Sequence, residues 1–269
     1  MSPAGRRGAA SSTLALVALS CAGGGGAGAA APAPVRVMPV RVLAALPHDP
    51  DAFTQGLAWV RGRLYESTGL YGRSTLRELD PATGRILRSV ALAPGEFGEG
   101  LTEIGGRLVQ LTWREERARL WTLPDLVPAG TLSYRGEGWG LASDGRELVQ
   151  SDGSGVLVFR AADDLRPLRH LAVRRDGRAV PYLNELEWAD GSLFANVWQS
   201  DEILRIDPRS GEVTGAWDAS GLLEPSERAR ADVLNGIAWD PERRRFFLTG
   251  KLWPFLFVAE LPEPPSVSP

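Results

Sequence analysis

A five-residue phrase recurs five times along this chain, and no other feature limits its fold as tightly. It reads Gln55-Gly-Leu-Ala-Trp59, Glu99-Gly-Leu-Thr-Glu103, Trp139-Gly-Leu-Ala-Ser143, Asn184-Glu-Leu-Glu-Trp188 and Asn235-Gly-Ile-Ala-Trp239, at intervals of 44, 40, 45 and 51 residues. A period of about 40–50 residues filled with strand-like text is the length of one propeller blade. The middle of the phrase is nearly constant while its first residue changes: Gln, Glu, Trp, Asn, Asn. A repeating scaffold with one varying position suggests a site built on a ring.

Each phrase is read as an inner strand followed by a hairpin turn, as at Val60-Arg-Gly-Arg63, Gly105-Gly-Arg107 and Asp190-Gly191. These carry the residues such turns need. Second strands follow (Leu64–Ser67, Leu108–Leu111, Leu148–Ser151, Leu193–Asn196, Phe246–Thr249), and third strands alternate apolar and polar residues, as in Leu76–Asp80 and Ile203–Asp207. Outer fourth strands are expected at Ile86–Leu92 and Glu212–Trp217. The fifth unit stops after a third strand at Phe255–Leu261, and Val40–Leu46 precedes the first phrase without an inner partner. The expected fold is therefore all-β: a five-bladed propeller with four antiparallel strands per blade, closed when the N-terminal strand completes the last blade. That closure removes an open edge. A helical reading fails for want of a 3.6-residue period and because the chain holds 31 glycines and 20 prolines.

The first residues read differently. Arg6 and Arg7 precede an apolar run from Thr13 to Leu19, the pattern of an export signal. The run is too short for a permanent span. Residues 1–21 are expected to be a signal peptide or lipoprotein signal, 22–37 a flexible Gly/Ala/Pro tether, 38–262 the propeller, and 263–269 a disordered tail. Cys21, the single cysteine, resembles the lipidated first residue of a bacterial lipoprotein, which would give a lipid anchor. The alternative is ordinary cleavage after Ala30 or Ala31. Either way the domain is expected outside the cytoplasm (periplasmic, extracellular or membrane-anchored) and without a disulfide. The net charge is −3 and no basic patch interleaves with aromatics, so a nucleic-acid partner is not expected. The arginines at Arg114–Arg119 and Arg243–Arg245 fall in expected hairpin turns and are read as solvated. A closed ring has no sticky edge, so a monomer is expected.

Inner strands line a propeller's channel, and second strands run back beside them. Two rings should then share one face: the phrase starts Gln55, Glu99, Trp139, Asn184 and Asn235, and the strand ends Gly69, Trp113, Gly153, Trp198 and Lys251. Apolar walls with a few convergent polar groups suit a small-ligand pocket. Plainer roles compete: a channel Asn or Gln can simply satisfy nearby backbone, Glu99 can pair structurally with Lys251, and tryptophans can be packing. Trp59, Trp188 and Trp239, recurring at one phrase position, are read as packing. His48 and His170 lie outside both rings, and no histidine-rich zinc set or nucleophile elbow is present.

At Phe53-Thr-Gln-Gly-Leu57, Tyr65–Ser74, Gly98-Glu-Gly-Leu-Thr102, Leu111-Thr-Trp113, Gly136–Leu141, Leu183–Trp188, Asn196-Val-Trp198, Leu234–Ala238 and Thr249-Gly-Lys251 the chain resembles the plant and bacterial glutaminyl-peptide cyclotransferases. These are five-bladed propellers unrelated to the zinc-dependent animal enzymes. The resemblance implies conversion of an N-terminal glutamine of peptides or proteins to pyroglutamate, with release of ammonia. It implies catalytic Glu99, Asn184 and Lys251, and a pocket shaped by Phe53, Gln55, Trp113, Trp139 and Trp198, to which the ring adds Asn235. Glu99 is expected to shuttle the proton. No metal or cofactor is required, while a structural cation in the channel stays open. Two other readings remain: a non-catalytic exported propeller that binds peptides or wall fragments, and a metal-dependent, lactonase-like propeller hydrolase.

Overall fold

The computed structural model describes residues 34–263. The leader, Cys21 and the start of the tether, like the tail from residue 264 on, lie outside the described residues.

Five sheets form the five blades, each with its phrase strand innermost. Blade one runs β3 Thr54–Val60, β4 Arg63–Thr68, β5 Thr75–Leu79 and β6 Ile86–Ala91. Blade two is β7 Gly98–Ile104, β8 Arg107–Thr112, β9 Arg117–Thr122 and β10 Pro128–Ser133. Blade three is β11 Leu141–Ser143, β12 Glu147–Gln150, β13 Val156–Ala161 and β14 Pro167–Ala172. Blade four is β17 Leu183–Ala189, β18 Ser192–Val197, β19 Glu202–Ile206 and β20 Val213–Asp218. Blade five is β21 Leu234–Asp240, β22 Arg245–Gly250 and β23 Phe255–Glu260, completed by β2 Arg41–Pro47 paired antiparallel to β23. Chain closure thus falls where the missing outer strand placed it.

Three small elements had no sequence expectation. Strand β1, Val37–Pro39, adds to β20 in parallel as a fifth strand of blade four. A hairpin of β15 Arg174–Arg175 and β16 Arg178–Ala179 follows blade three. A single helical turn, α1 Pro225–Arg228, lies before blade five, inside the longest interval of the repeat. The uneven period therefore lies in the connections between blades.

The inner strands are buried almost throughout, and the core consists of apolar clusters between adjacent blades. Trp59 stacks on Phe247, Trp239 packs on Phe246 and Trp188 packs against the apolar cluster of blades three and four, so all three recurrent tryptophans are packing. His48, just past β2, is also buried structure. It contacts Glu66 through Nε2 at 2.9 Å and the Trp253 carbonyl through Nδ1 at 2.8 Å, fastening the closing strand to blades one and five. The solvated reading of Arg114–Arg119 fails in part. Arg119 lies within β9 and clamps the buried Glu96 carboxylate in a bidentate pair, and Arg114 stacks on Trp113 at 3.7 Å. The hairpin turn is shorter than the arginine-rich segment, so the register carries Arg119 back over the sheet.

Glycine in the phrase allows the blades to converge. A Cβ on Gly100 would lie 2.5 Å from the Leu141 amide, and one on Gly140 would lie 2.0 Å from the Asn184 carbonyl. Backbones that close leave no room for a side chain at this level. Blade four has Glu185 at the equivalent position. Its carboxylate spans the axis and accepts hydrogen bonds from the amides of Leu57 (3.1 Å) and Ile237 (2.9 Å).

Candidate active site

The first residues of the phrase reach the channel mouth because four inner strands are bulged there. Register slips between Thr54 and Gly56, Gly98 and Leu101, Leu183 and Leu186, and Leu234 and Ile237. A bulge bends the strand and re-aims the side chain at the extra residue. In blade three the inner strand begins only at Leu141, so Trp139 sits ahead of it.

A cavity of about 700 Å³ opens at this mouth. Eight of the nine expected site residues line it: Phe53, Gln55, Glu99, Trp113, Trp139, Asn184, Trp198 and Lys251. Asn235 does not line it. It is wholly buried behind Gln55, donating to the Thr54 carbonyl (3.0 Å) and to Gln55 Oε1 (3.2 Å). Gln55 in turn donates from Nε2 to Glu99 Oε1 at 2.8 Å. The result is a relay, Asn235 to Gln55 to Glu99, in which each amide is oriented by the next.

Glu99 is 4% exposed. Burial pushes its pKa well above the carboxylate range; the Lys251 charge pulls it part of the way back, and Glu137 and Glu115 push it further up. Lys251 is shifted in the complementary sense. Burial lowers it, while the charges of Glu99 and Asp232 offset part of that. The two groups feel each other across the cavity without a direct ion pair inside 4.0 Å. The ammonium lies over the face of Phe53, 4.8 Å from the ring centroid, and its backbone is fixed by hydrogen bonds exchanged with Asp232 and Val233. Asn184 is buried, and its Oδ1 has no protein partner.

The walls are aromatic. Trp139 meets Trp198 edge to face at 5.8 Å, and Phe97 packs against both Phe53 and Trp113. Gly153, at φ +80°, stands where a Cβ would come within 2.7 Å of the Trp139 ring, so glycine in the second ring makes room for the indole in the first.

Phe97 and Glu137 were missed by the sequence reading. Glu137 Oε2 accepts hydrogen bonds from both Trp113 Nε1 (2.9 Å) and Trp139 Nε1 (3.0 Å), while its Oε1 accepts one from Arg114 Nε (2.9 Å). Although burial works against it, these bonds hold the Glu137 pKa below the usual range. The missed signal was a third ring, two residues before each phrase start: Phe53, Phe97, Glu137, Tyr182 and Val233. These residues stand just ahead of the inner strands at equivalent points of the repeat, and four of the five line the cavity while Tyr182 packs on Trp198. Among the described residues no group of three or more His, Cys, Asp or Glu is arranged to hold a metal ion.

A family model described as glutamine cyclotransferase matches residues 13–261. The glutaminyl-peptide cyclotransferase of Arabidopsis thaliana is 43% identical over 233 residues, covering 84% of this chain and 72% of that protein. The crystal structure of Myxococcus xanthus glutaminyl cyclase superposes with a TM-score of 0.76 at 39% identity, covering 85% of this chain and 98% of that one. With a five-bladed propeller, a ringed cavity and these relatives, the chain belongs to the glutamine cyclotransferase family.

Proposed function

We propose that this chain is a glutaminyl-peptide cyclotransferase that closes the N-terminal glutamine of a peptide to pyroglutamate, with Glu99 carrying the proton. One observation supports the role of Glu99 above the others. It is the carboxylate that is both buried and open to the cavity, held by a single protein donor, Gln55, on one oxygen.

The α-amine attacks the side-chain carboxamide carbon of its own residue. A C–N bond forms, the bond to the amide nitrogen breaks, and ammonia leaves. The attack is intramolecular, so holding the glutamine coiled supplies much of the acceleration. Phe53, Trp113, Trp139 and Trp198 form the wall for its alkyl stem. The amine must be neutral to attack, and its free pKa is about 7.7–8.0. A carboxylate whose pKa is raised toward that range accepts the proton from the attacking nitrogen and returns it to the departing one. One proton moves, and Glu99 ends as it began. Lys251 and Asn184 stabilise the negative charge that develops on the carbonyl oxygen, and the Asn235–Gln55 relay holds Glu99 in register. Protein side chains and substrate supply every group in this scheme.

The test is ammonia release from Gln-Ala-NH2. Wild-type protein is expected to turn it over, and Glu99→Gln, which keeps the shape and the Gln55 contact, is expected to lose it. Near wild-type turnover by that variant would refute the shuttle. The reading of an exported enzyme rests on residues 6–21 alone. Incorporation of labelled palmitate that Cys21→Ser abolishes is the check on the lipid anchor.

A further inference from the structure

A second cleft, of about 520 Å³, lies between blades two and three and shares Glu137 with the cavity just described. Arg160 lies on its wall. It is 7% exposed, the one arginine among the described residues that is buried. Several buried charges in the fold have partners: Glu96 has Arg119, Asp240 has Arg245, and Glu185 has two amides, whereas Lys251 faces the first cavity without an ion pair. Arg160 has no carboxylate within 4.0 Å. Its hydrogen bond runs from Nη1 to the Leu165 carbonyl at 2.8 Å, and its Nε has no partner. The neighbouring arginines are already neutralised, Arg135 by Glu116 and Arg166 by Asp164.

Gln150 presents an unpartnered acceptor on the same wall. Strands β12 and β13 pair Leu148 with Arg160 and Gln150 with Val158, so Gln150 and Arg160 share one face of blade three. Gln150 Nε2 donates to the Glu137 carbonyl at 3.0 Å, and its Oε1 has no partner. An unsatisfied buried donor and acceptor on one face are costly unless something binds there; a peptide supplies both complements, an N–H for Gln150 Oε1 and an oxygen for Arg160. Asp152, on the same cleft, is near enough for its charge to act on Arg160 but makes no ion pair with it. A guanidinium with no anion in contact suits a carboxylate, which it can grip through two parallel bonds.

We infer that this cleft receives the part of the peptide that follows the glutamine, and that Arg160 recognises a carboxylate carried there. The inference rests on the cyclotransferase reading of the adjoining cavity. A glutamine seated against Trp113 and Trp139 has Glu137 at its rim, and the chain that leaves past Glu137 enters the cleft. An extended peptide advances about 3.3–3.6 Å per residue, so a carboxylate within the next few residues comes within reach. It can be an acidic side chain or the C-terminus of a short peptide.

Initial-rate kinetics on amidated pentapeptides of the form Gln-Ala4 test this, with Glu, or Gln as its neutral counterpart, placed in turn at positions two to five. The same neutral peptide with a free C-terminus separates terminal from side-chain recognition. Wild-type enzyme is expected to favour Glu at one or two positions, or the free terminus, by about tenfold in kcat/KM, mostly through KM. The preference should shrink with added salt. Within each enzyme the ratio of acidic to neutral peptide is the readout, so loss of folded protein cancels. The ratio should fall to about one in Arg160→Gln and survive in part in Arg160→Lys. A wild-type enzyme with no preference at any position, or one that does not turn over the pentapeptides, overturns the inference. So does a preference that persists in Arg160→Gln, because Arg160 would then be only a strut for the Leu165 turn. Failure to cyclise Gln-Ala-NH2 itself would instead sink the cyclotransferase reading.

Discussion

Glu99 and Glu185 are two carboxyl groups near one axis, both buried, and burial pushes both well above the ordinary carboxylate range. They differ in what surrounds them. Glu185 fills the axis where other blades carry glycine, and each of its oxygens accepts a backbone amide from a different blade. Glu99 takes one bond from Gln55 and faces an open cavity with an ammonium on its wall. A shifted pKa therefore marks burial in both, and only the open coordination on one side marks a reactive group. Perturbed titration is a pointer to function only when geometry leaves room for a substrate.

The sharpest way to break this contrast is to substitute both. Glu99→Gln should lower kcat by about 10²–10⁴-fold, the usual worth of a positioned acid–base group, without lowering the unfolding midpoint. If Glu185→Gln costs as much activity per folded molecule, the distinction drawn here is wrong. Next in size is stability. Glu185→Ala strands two buried amides and should cost about 2–4 kcal/mol in urea unfolding, whereas Glu99→Ala should be far milder. A third variant tests the walls. Glu137→Ala frees two indoles and Arg114, and should raise KM about tenfold with a smaller effect on kcat, read from saturation curves on Gln-Ala-NH2.

The smallest expected effect is on pH dependence. Glu99 must be ionised to accept the amine proton, so kcat/KM falls as pH drops through its pKa. That acid limb should lie above the ordinary carboxylate range, because burial raises Glu99. The Lys251 charge lowers the same pKa and the Glu137 charge raises it. Residual activity in Lys251→Met should therefore show the limb moved to higher pH, and Glu137→Gln should move it to lower pH. Shifts of the opposite sign would contradict the electrostatics of the cavity.

Local physics wrote the scaffold into the chain. The phrase and its turns are short-range signals, set by strand alternation and by the conformations that Gly, Asp and Pro favour. Their count gave five blades, and the surplus strand at Arg41–Pro47 gave the closure. The ring idea also carried: Gln55, Glu99, Asn184, Trp139, Trp113, Trp198 and Lys251 meet because equivalent positions of equivalent strands converge on one axis. A third ring, counted two residues before each phrase start, would have added Phe97 and Glu137, in the segments that lead into the inner strands.

The rest depended on distances between blades, which no local pattern encodes. Asn235 belongs to the ring by sequence, yet its side chain turns to Gln55 because the Thr54 carbonyl needs a donor. Glu137 joins two tryptophans from different blades, and Arg160 stands between blades two and three with no ion pair and an unpartnered Nε. Sequence alone fixed which residues stand on the rings, since hydrogen-bond register is local. Burial, charge coupling and the open side of Glu99 arose only when the ring closed, because each depends on what the neighbouring blades place within a few ångströms.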